Sequence, residues 1–153
     1  MIGVVSDTHD DVDAAREAAE VFEERDVDVV VHCGDYVAPP IVSEFEGLEL
    51  HGVLGNNDGE VLGLQRAFDS VDGVLHGRFA ELEVDGVEVA VHHGESRALV
   101  DALARAGYDY VFSGHYHVRE KRDVDGCTVV NPGAFHFTAP EDSRTVAVVD
   151  DDV

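Results

Sequence analysis

The first half of the chain alternates short apolar runs with segments in which apolar residues recur at helical spacing. In the longest such segment, alanines and Phe22 lie on one side and acidic residues on the other, as in an amphipathic helix. The pattern predicts, in order, strand 2–5, helix 12–25, strand 27–33, a short helix 39–45 opened by two prolines, and strand 48–54. This alternation of strands and helices predicts parallel strands covered by helices.

The second half carries hairpin signals instead. An Asp-Gly pair between alternating apolar and polar residues is typical of a tight β-hairpin. The pattern predicts strands 79–84 and 87–91 around Asp85-Gly86, helix 97–106 ending at Gly107, strand 108–112, two short strands around Asp125-Gly126, and strand 145–149. We therefore expect an α/β protein of two packed mixed sheets with helices outside, forming a single domain over residues 1–153.

Composition adds an extreme charge to this picture. The 153 residues include 33 Asp and Glu against 10 Lys and Arg, for a formal net charge of -23. Such a surface repels nucleic acids and anionic membranes, which excludes a sequence-independent nucleic-acid-binding surface. The acids are spread along the whole chain rather than gathered in an interaction tail. Because molar salt screens this self-repulsion, the composition predicts a halophilic protein in a salt-rich cytoplasm.

The N-terminus and the cysteines point to the same compartment. The chain begins with a strand-like sequence and shows no signal-peptide pattern, and its apolar runs are too short to cross a bilayer. Cys33 and Cys127 both lie in apolar surroundings, and two thiols do not form a disulfide framework. We expect a cytoplasmic protein, and the sequence leaves open whether it forms a homo-oligomer.

Polar side chains follow five of the predicted strands at the point where each strand ends. Ligands of open α/β sheets bind in the crevice outside the carboxyl ends of the strands. Seven nitrogen and oxygen donors would meet there: Asp7, His9, Asp35, Asn56, His93, His115 and His117. Four glycines adjoin these donors, where a sharp turn or a close approach needs a residue without Cβ: Gly34, Gly55, Gly94 and Gly114.

Seven such donors with one shared carboxylate suit two divalent cations. Oxygen and imidazole ligands without thiolate favour Mn, Fe, Zn, Ni or Co over calcium or a structural zinc site. Two ions about 3.5–4 Å apart form a clamp for in-line displacement at phosphorus. Each motif alone also occurs in turns and as a structural histidine, so the prediction rests on all five in order.

The chain carries five motifs in order: Asp7-Thr8-His9, Gly34-Asp35, Gly55-Asn56-Asn57-Asp58, His93-Gly94 and Gly114-His115-Tyr116-His117. Together they resemble the motifs of the calcineurin-like metallophosphoesterase superfamily. The chain is most similar to its small prokaryotic YfcE-like phosphodiesterase branch. The resemblance implies a four-layer α/β/β/α sandwich and two divalent metal ions, with Mn favoured and Ni, Co, Zn, Fe or Mg as alternatives. It implies that Asp7, His9 and His117 hold one ion, that Asn56, His93 and His115 hold the other, and that Asp35 bridges them.

Three positions depart from the pattern of the family. Asn57 replaces a His or Cys and can donate hydrogen bonds but no proton at neutral pH, so we expect good leaving groups or a proton from another residue. Glu95 replaces a His near the rim, and Tyr116 replaces a Thr and would narrow the pocket. Asp58 either hydrogen-bonds a ligand histidine or is a turn residue. The candidate catalytic residues are Asp35, Asn57 and Asp58.

The remaining histidines and the terminal acids receive structural interpretations. His32 is expected in the core or behind the ligands, and His92 is expected to face away from the site because strand neighbours alternate faces. His51, His76 and His136 have no ligand spacing and are expected on the surface or in loops. Residues Asp150, Asp151 and Asp152 are expected to form a solvated tail without a metal role.

The function predicted is a metal-dependent phosphoesterase, preferably a phosphodiesterase, acting on a small phosphate ester. A non-enzymatic metal-binding scaffold of the same fold is an alternative, although all seven ligand positions are filled. A phosphomonoesterase or a dinucleotide polyphosphate hydrolase is another, for which Arg97 and Arg119 are the nearest basic residues.

Overall fold

A computed structural model describes residues 1–150 of the chain, and its first part alternates strands with helices. These elements are, in chain order, β1 (Ile2–Val5), α1 (Val12–Glu24), β2 (Val29–His32), α2 (Pro40–Ser43), β3 (Glu49–Gly52), α3 (Val61–Ser70) and β4 (Val74–Leu75). Helix α1 begins where the Asp11 side chain accepts a hydrogen bond from the amide of Ala14. Its buried residues, among them Ala15, Ala18 and Phe22, follow the predicted helical spacing.

The later elements comprise two hairpins, one helix and three further segments. They are β5 (Phe79–Val84), β6 (Val87–His92), α4 (Arg97–Ala104), β7 (Tyr110–Phe112), β8 (Arg119–Val124), β9 (Cys127–Pro132), a 3₁₀ turn (Glu141–Ser143) and β10 (Ala147–Val149). Both hairpins turn at an Asp-Gly pair in which both residues have positive φ, as a two-residue type I′ turn requires. The two predicted hairpins are thus confirmed.

Residues 1–150 form two five-stranded mixed sheets. In the first, of order β10-β1-β2-β3-β4, strands β1 to β4 are parallel and β10 is antiparallel to β1. In the second, of order β5-β6-β7-β9-β8, the central strands β6, β7 and β9 are parallel. The parallel strands of each sheet bring their carboxyl ends to one edge, and this edge carries the site described below.

Side-chain alternation divides the core into separate apolar layers. In β2, Val29 and Val31 pack between the two sheets, whereas Val30 packs towards the helices of the first sheet. In β6, Val89 and Val91 face the same inter-sheet layer. Ala90 of β6 packs against Val100 and Ala104 of α4. The order is therefore helices, sheet, sheet, helix, which confirms the four-layer α/β/β/α sandwich.

The structure adds two elements that the sequence pattern did not predict, α3 and β4. Only Leu64 and Phe68 of α3 are buried, so its apolar stripe is narrow. The other predicted segments are present: strands 2–5 and 79–84 have the predicted bounds, β6 extends one residue past the predicted 87–91, and the strand predicted at 27–33 is shorter, Val29–His32. Cys33 and Cys127 are buried free thiols.

Two further predictions concern the surface of the chain. Among the helices of residues 1–150, none has the length and apolar character that a bilayer crossing requires. Asp150 is exposed, and the prediction for Asp151 and Asp152 lies outside the described residues.

Candidate metal centre

The seven predicted donors lie at the edge where the parallel strands of both sheets end. Three of them follow strands of the first sheet: Asp7 two residues after β1, Asp35 three residues after β2 and Asn56 four residues after β3. His9 lies in the same loop as Asp7. The others come from the second sheet, namely His93 directly after β6, and His115 and His117 after β7. Both sheets therefore contribute ligand candidates to one site.

Asp7 is fully buried and lies at the centre of the group. One oxygen, Oδ2, accepts hydrogen bonds from the Ser6 hydroxyl (2.6 Å) and from the His115 amide (3.0 Å). The other, Oδ1, lies 3.1 Å from Nε2 of His117 and 3.9 Å from Nε2 of His9. Burial acts to raise the pKa of Asp7, but the hydrogen bond with His117 and the nearby rings of His9 and His93 outweigh burial and hold this pKa well below its usual range. Asp7 is therefore a carboxylate available to a cation.

His93 is oriented by the backbone. Its Nδ1–H donates to the carbonyl of Cys33 at 2.8 Å, because a carbonyl can only accept. Its Nε2 is buried, without a hydrogen-bond partner among residues 1–150, and lies 3.4 Å from Oδ2 of Asp35 and 3.9 Å from Oδ1 of Asp7. Burial acts to lower the pKa of His93, but the two carboxylates outweigh it and raise this pKa to about 9. A cation bound at Nε2 would compete with a proton there.

Asp35 is fixed by its neighbour in the next loop. The amide of Asn57 donates to Oδ1 and its side-chain Nδ2 to Oδ2, both at 2.9 Å. Burial acts to raise the pKa of Asp35, but the neighbouring His93 and the hydrogen bonds from Asn57 outweigh burial, so the pKa is lowered. Asp7, Asp35 and His93 offer ligand atoms within 4.8 Å of one another.

Asn56 and His115 extend the group on the side of His93. Oδ1 of Asn56 lies 3.0 Å from Nδ1 of His115. The rings of His93 and His115 are 5.3 Å apart in an edge-to-face arrangement. Through these contacts all seven predicted donors form one connected cluster.

Asp58 holds the loops that follow β2 and β3. Its Oδ2 accepts hydrogen bonds from the amides of Gly55 (2.7 Å) and Asp35 (2.8 Å), and its Oδ1 accepts one from the amide of Val37 (2.9 Å). Within the described residues these bonds go to backbone amides rather than to a ligand histidine, the partner considered from the sequence. Burial raises the pKa of Asp58 despite these donors.

The ligand loops have an unusual backbone conformation. Five of the seven donors are non-glycine residues with positive φ: Asp7 (53°), His9 (48°), Asp35 (61°), His115 (76°) and His117 (58°). Such residues cost on the order of 1–3 kcal/mol each and cluster at functional sites. Gly114 shows how tightly these loops meet, since a Cβ there would collide with the side chains of Ser6 and Asp7.

Sequence reasoning missed one histidine of this site. His136 lies in a loop, as expected, but it is buried rather than on the surface. Its ring stacks on that of His9 at 4.5 Å, and the ligand atoms of His9, His117 and His136 lie within 4.8 Å of one another. The missed signal is that His136 follows β9, which runs parallel to β7 and ends at the same edge.

Two other histidines lie away from this cluster and contact each other. Nδ1 of His51 lies 2.9 Å from Nε2 of His76, between β3 and the end of β4. The neighbour of His93, His92, is half-buried, and its Nδ1 accepts a hydrogen bond from the amide of Gly94. Glu95 lies 3.6 Å from this nitrogen.

At the rim, Tyr116 is exposed and lies beneath the Arg97 guanidinium, which is 5.5 Å from the ring centre. Arg97 also pairs with Glu120 at 3.3 Å. The charge of this guanidinium is therefore already partly neutralised by a carboxylate.

The donors present fit divalent cations. Carboxylate, amide and imidazole groups without thiolate suit first-row ions of intermediate hardness. His93 has the ligand tautomer fixed by a carbonyl, and the unpartnered Nε2 of His93 and of His9 are buried beside Asp7. An ion would satisfy these nitrogens and neutralise the two buried carboxylates.

Comparison with known proteins gives a consistent result. The model of the calcineurin-like phosphoesterase superfamily domain matches residues 1–152. A phosphodiesterase of Methanocaldococcus jannaschii is 35% identical over 136 residues, which cover 86% of this chain and 82% of the relative. The solved structure of an archaeal phosphodiesterase superposes with a TM-score of 0.82 at 34% identity, covering 87% of this chain and 83% of that one. YfcE, a phosphoesterase from E. coli, has a TM-score of 0.63 at 18% identity, covering 88% and 79% respectively, and shares the fold.

Proposed function

This chain belongs to the calcineurin-like phosphoesterase superfamily, a family of metal-dependent hydrolases of ester bonds, and we propose that it is a phosphodiesterase acting on a small phosphate ester. The observation that carries the proposal is the buried cluster in which the free Nε2 of His93 lies between the carboxylates of Asp7 and Asp35. Its M. jannaschii relative carries the name phosphodiesterase.

We propose that Asp7, His9 and His117 hold one divalent ion, that Asn56, His93 and His115 hold a second, and that Asp35 is shared. Two ions so bound supply Lewis-acid activation of water and neutralise charge on the phosphoryl oxygens. The contacts within each set support the division, because Asp7 meets His117 at 3.1 Å while Asn56 meets His115 at 3.0 Å.

The protein residues around the ions have positioning roles. Asn57 grips both oxygens of Asp35, and Cys33 fixes the ring of His93 through its carbonyl. Asn57 is exposed at the rim and can donate a hydrogen bond to an ester but no proton. We therefore propose that the enzyme favours diesters whose leaving group departs without a proton from Asn57.

Reconstitution tests this function directly. We expect the metal-free protein to be inactive and Mn²⁺ to restore hydrolysis of an aryl phosphodiester. Asp35→Asn should lower kcat/KM by more than about 100-fold. Loss of a residue that only supports a metal ligand already lowers metal affinity or activity by about 10- to 100-fold. Asp69→Asn on α3 is the matched control and should retain activity.

Full activity of Asp35→Asn, or of metal-free protein, would contradict the proposal. Metal binding without turnover of any phosphate ester would favour an interaction scaffold. Preference for an aryl monoester over the diester would favour a phosphomonoesterase. Against this, Arg97 already pairs with Glu120, so its charge is not available to neutralise the dianionic phosphate of a monoester.

We further propose that Mn is the activating ion, that the protein works in a salt-rich cytoplasm, and that residues 1–153 form a single domain. The hard oxygen ligands support Mn. The excess of 33 acids over 10 bases and the two buried free thiols support the compartment. The family match over residues 1–152 supports one domain.

A further inference from the structure

His136 is placed against the proposed metal centre by a part of the chain that carries none of the seven donors. It lies in the loop after β9 and is 8% exposed. Its ring centre is 4.5 Å from that of His9 and 5.7 Å from that of His117. Its Nε2 is buried and has no hydrogen-bond partner among residues 1–150, as is also true of Nε2 of His9. An unpaired buried nitrogen is costly unless something binds it.

The other ring nitrogen of His136 has a partner that suits a metal ligand. Nδ1 lies 2.8 Å from Oγ1 of Thr138. When Nδ1–H donates to this hydroxyl, the lone pair of the ring is on Nε2, directed into the cluster. Metal-bound histidines commonly fix their tautomer in this manner.

The loop is anchored so that His136 stays at this place. The amide of Phe135 donates to the carbonyl of Ser6 at 3.1 Å, next to Asp7. The amide of Phe137 donates to Oδ2 of Asp11 at 2.8 Å, at the start of α1. His136 is thus held between two hydrogen bonds, each donated by a neighbouring backbone amide to the segment that carries Asp7 and His9.

We infer that His136 is a further imidazole ligand of the metal position formed by Asp7, His9 and His117. The three histidines offer ligand atoms within 4.8 Å of one another. With the shared Asp35 this position would have five protein ligands, and neighbouring nitrogens on such an ion lie about 3 Å apart, so side-chain shifts of up to about 1.8 Å would bring them onto one ion. An open cleft lined by His9, His136 and the carboxylates of Asp10, Asp11 and Asp13 leads to this side and suits entry of a cation.

An additional nitrogen changes which ions this position prefers. Imidazole suits Co, Ni, Zn and Fe better than it suits Mn, whose preferred ligands are oxygens. The affinity of this position for Co²⁺ should therefore depend on His136 more strongly than its affinity for Mn²⁺. The inference rests on the proposed two-metal centre and adds a ligand to it.

The test is titration of metal-free protein with CoCl₂ alone, followed by calorimetry and by the visible absorption of bound Co²⁺. His136→Gln should weaken one of the two Co²⁺ sites by about 10- to 100-fold and alter its absorption, while Mn²⁺ affinity changes less. His76→Gln, in the histidine pair between β3 and β4, is the matched control and should behave as wild type.

A second variant covers the case in which His136→Gln fails to fold. Thr138→Val keeps the imidazole but removes the partner of Nδ1, and should weaken the same Co²⁺ site by about 10-fold. Unchanged Co²⁺ affinity and absorption in a folded His136→Gln protein, or in Thr138→Val, would overturn the inference. Wild-type protein that binds no Co²⁺ or Mn²⁺ would overturn the proposed function as well, which separates the two failures.

Discussion

Asp35 and His32 lie three positions apart, and their surroundings set opposite chemical states on them. Asp35 stays ionised because Asn57 donates to it and His93 lies beside it. His32 stays neutral: its Nδ1 accepts from the amide of Gly34 (3.1 Å), so the proton is on Nε2, 3.0 Å from the Thr8 hydroxyl. Burial lowers the pKa of His32 to about 3. The prediction of His32 as a core or supporting residue agrees with its full burial.

A pH dependence of stability follows from the neutral His32. Its unfolded-state pKa of about 6.5 lies above its folded-state value, so the unfolded chain binds a proton first. The stabilisation is complete above pH 6.5 and is lost as the pH falls from 6.5 towards 3, by about 1.4 kcal/mol per pH unit. We expect His32→Gln to be less stable than wild type at pH 7, with the gap shrinking by about 2 kcal/mol at pH 5.

Urea unfolding of both proteins in EDTA and constant KCl at pH 5, 6, 7 and 8 measures this gap. Subtracting the variant from the wild type removes the contributions of the other titrating groups. A gap that stays constant between pH 7 and pH 5 would show that His32 does not titrate in this manner.

That the seven candidate donors lie together was predictable at this scale, and the position of His136 beside them was not, for a physical reason. Each predicted ligand lies within a few residues of a strand end, so the local pattern locates it. His136 also lies four residues after a strand, but no ligand motif marks it, and its contact with His9 depends on the pairing of β9 with β7 and on the hydrogen bond from Phe137 to Asp11.

At the scale of elements, Asp11 joins a helix to a loop. One carboxylate oxygen caps α1 at the amide of Ala14 (3.1 Å), and the other holds the amide of Phe137. Ser96 caps α4 by a single bond to the amide of Leu99. The two residues therefore provide a matched comparison between a cap alone and a cap that also anchors the His136 loop.

We expect Ser96→Ala to lower the free energy of unfolding by about 1 kcal/mol, as loss of an N-cap does. Asp11→Ala should lower it by about 2 kcal/mol, because a second hydrogen bond is lost. Only Asp11→Ala should also weaken Co²⁺ binding, since only Asp11 anchors the loop of His136. Denaturant titrations and calorimetry measure both effects, and equal losses in the two variants would refute the anchoring role.

The elements that escaped prediction, α3 and β4, lie in a segment with little periodic signal. Gly63 and Gly73 interrupt the pattern, and α3 buries only Leu64 and Phe68. Strand β4 has two residues and exists through its pairing with β3. Tertiary contacts rather than local preference therefore determine both elements, whereas the Asp-Gly hairpins are encoded by their turns.

At the scale of the whole molecule, the dominant feature is the charge of -23. Helix α1 illustrates it, because its exposed positions include Glu17, Glu20, Glu23 and Glu24. Repulsion among such groups destabilises the compact state, and molar salt reduces the Debye length to about 3 Å.

We expect the melting temperature of the metal-free protein to rise between 0.1 M and 3 M KCl. The double variant Glu20→Lys/Glu24→Lys changes the charge from -23 by two units per substitution, to -19, and should show a smaller rise. Glu20→Asp/Glu24→Asp keeps the charge and serves as the control. Thermal unfolding at the two salt concentrations tests this, and a melting temperature independent of KCl would contradict the repulsion argument.

The site also has a consequence for the durability of the fold. Its donors come from both sheets, and Asp7 meets His117, 110 positions further along the chain, at 3.1 Å. Ions held there would act as cross-links between layers that otherwise meet through apolar packing, the connecting chain and hydrogen bonds such as that from His93 to Cys33. Opening the sandwich would then require release of the ions, which slows unfolding and stabilises the native state by mass action. Because both cysteines of the chain are free thiols, bound metal would supply the cross-link that a disulfide supplies in other proteins.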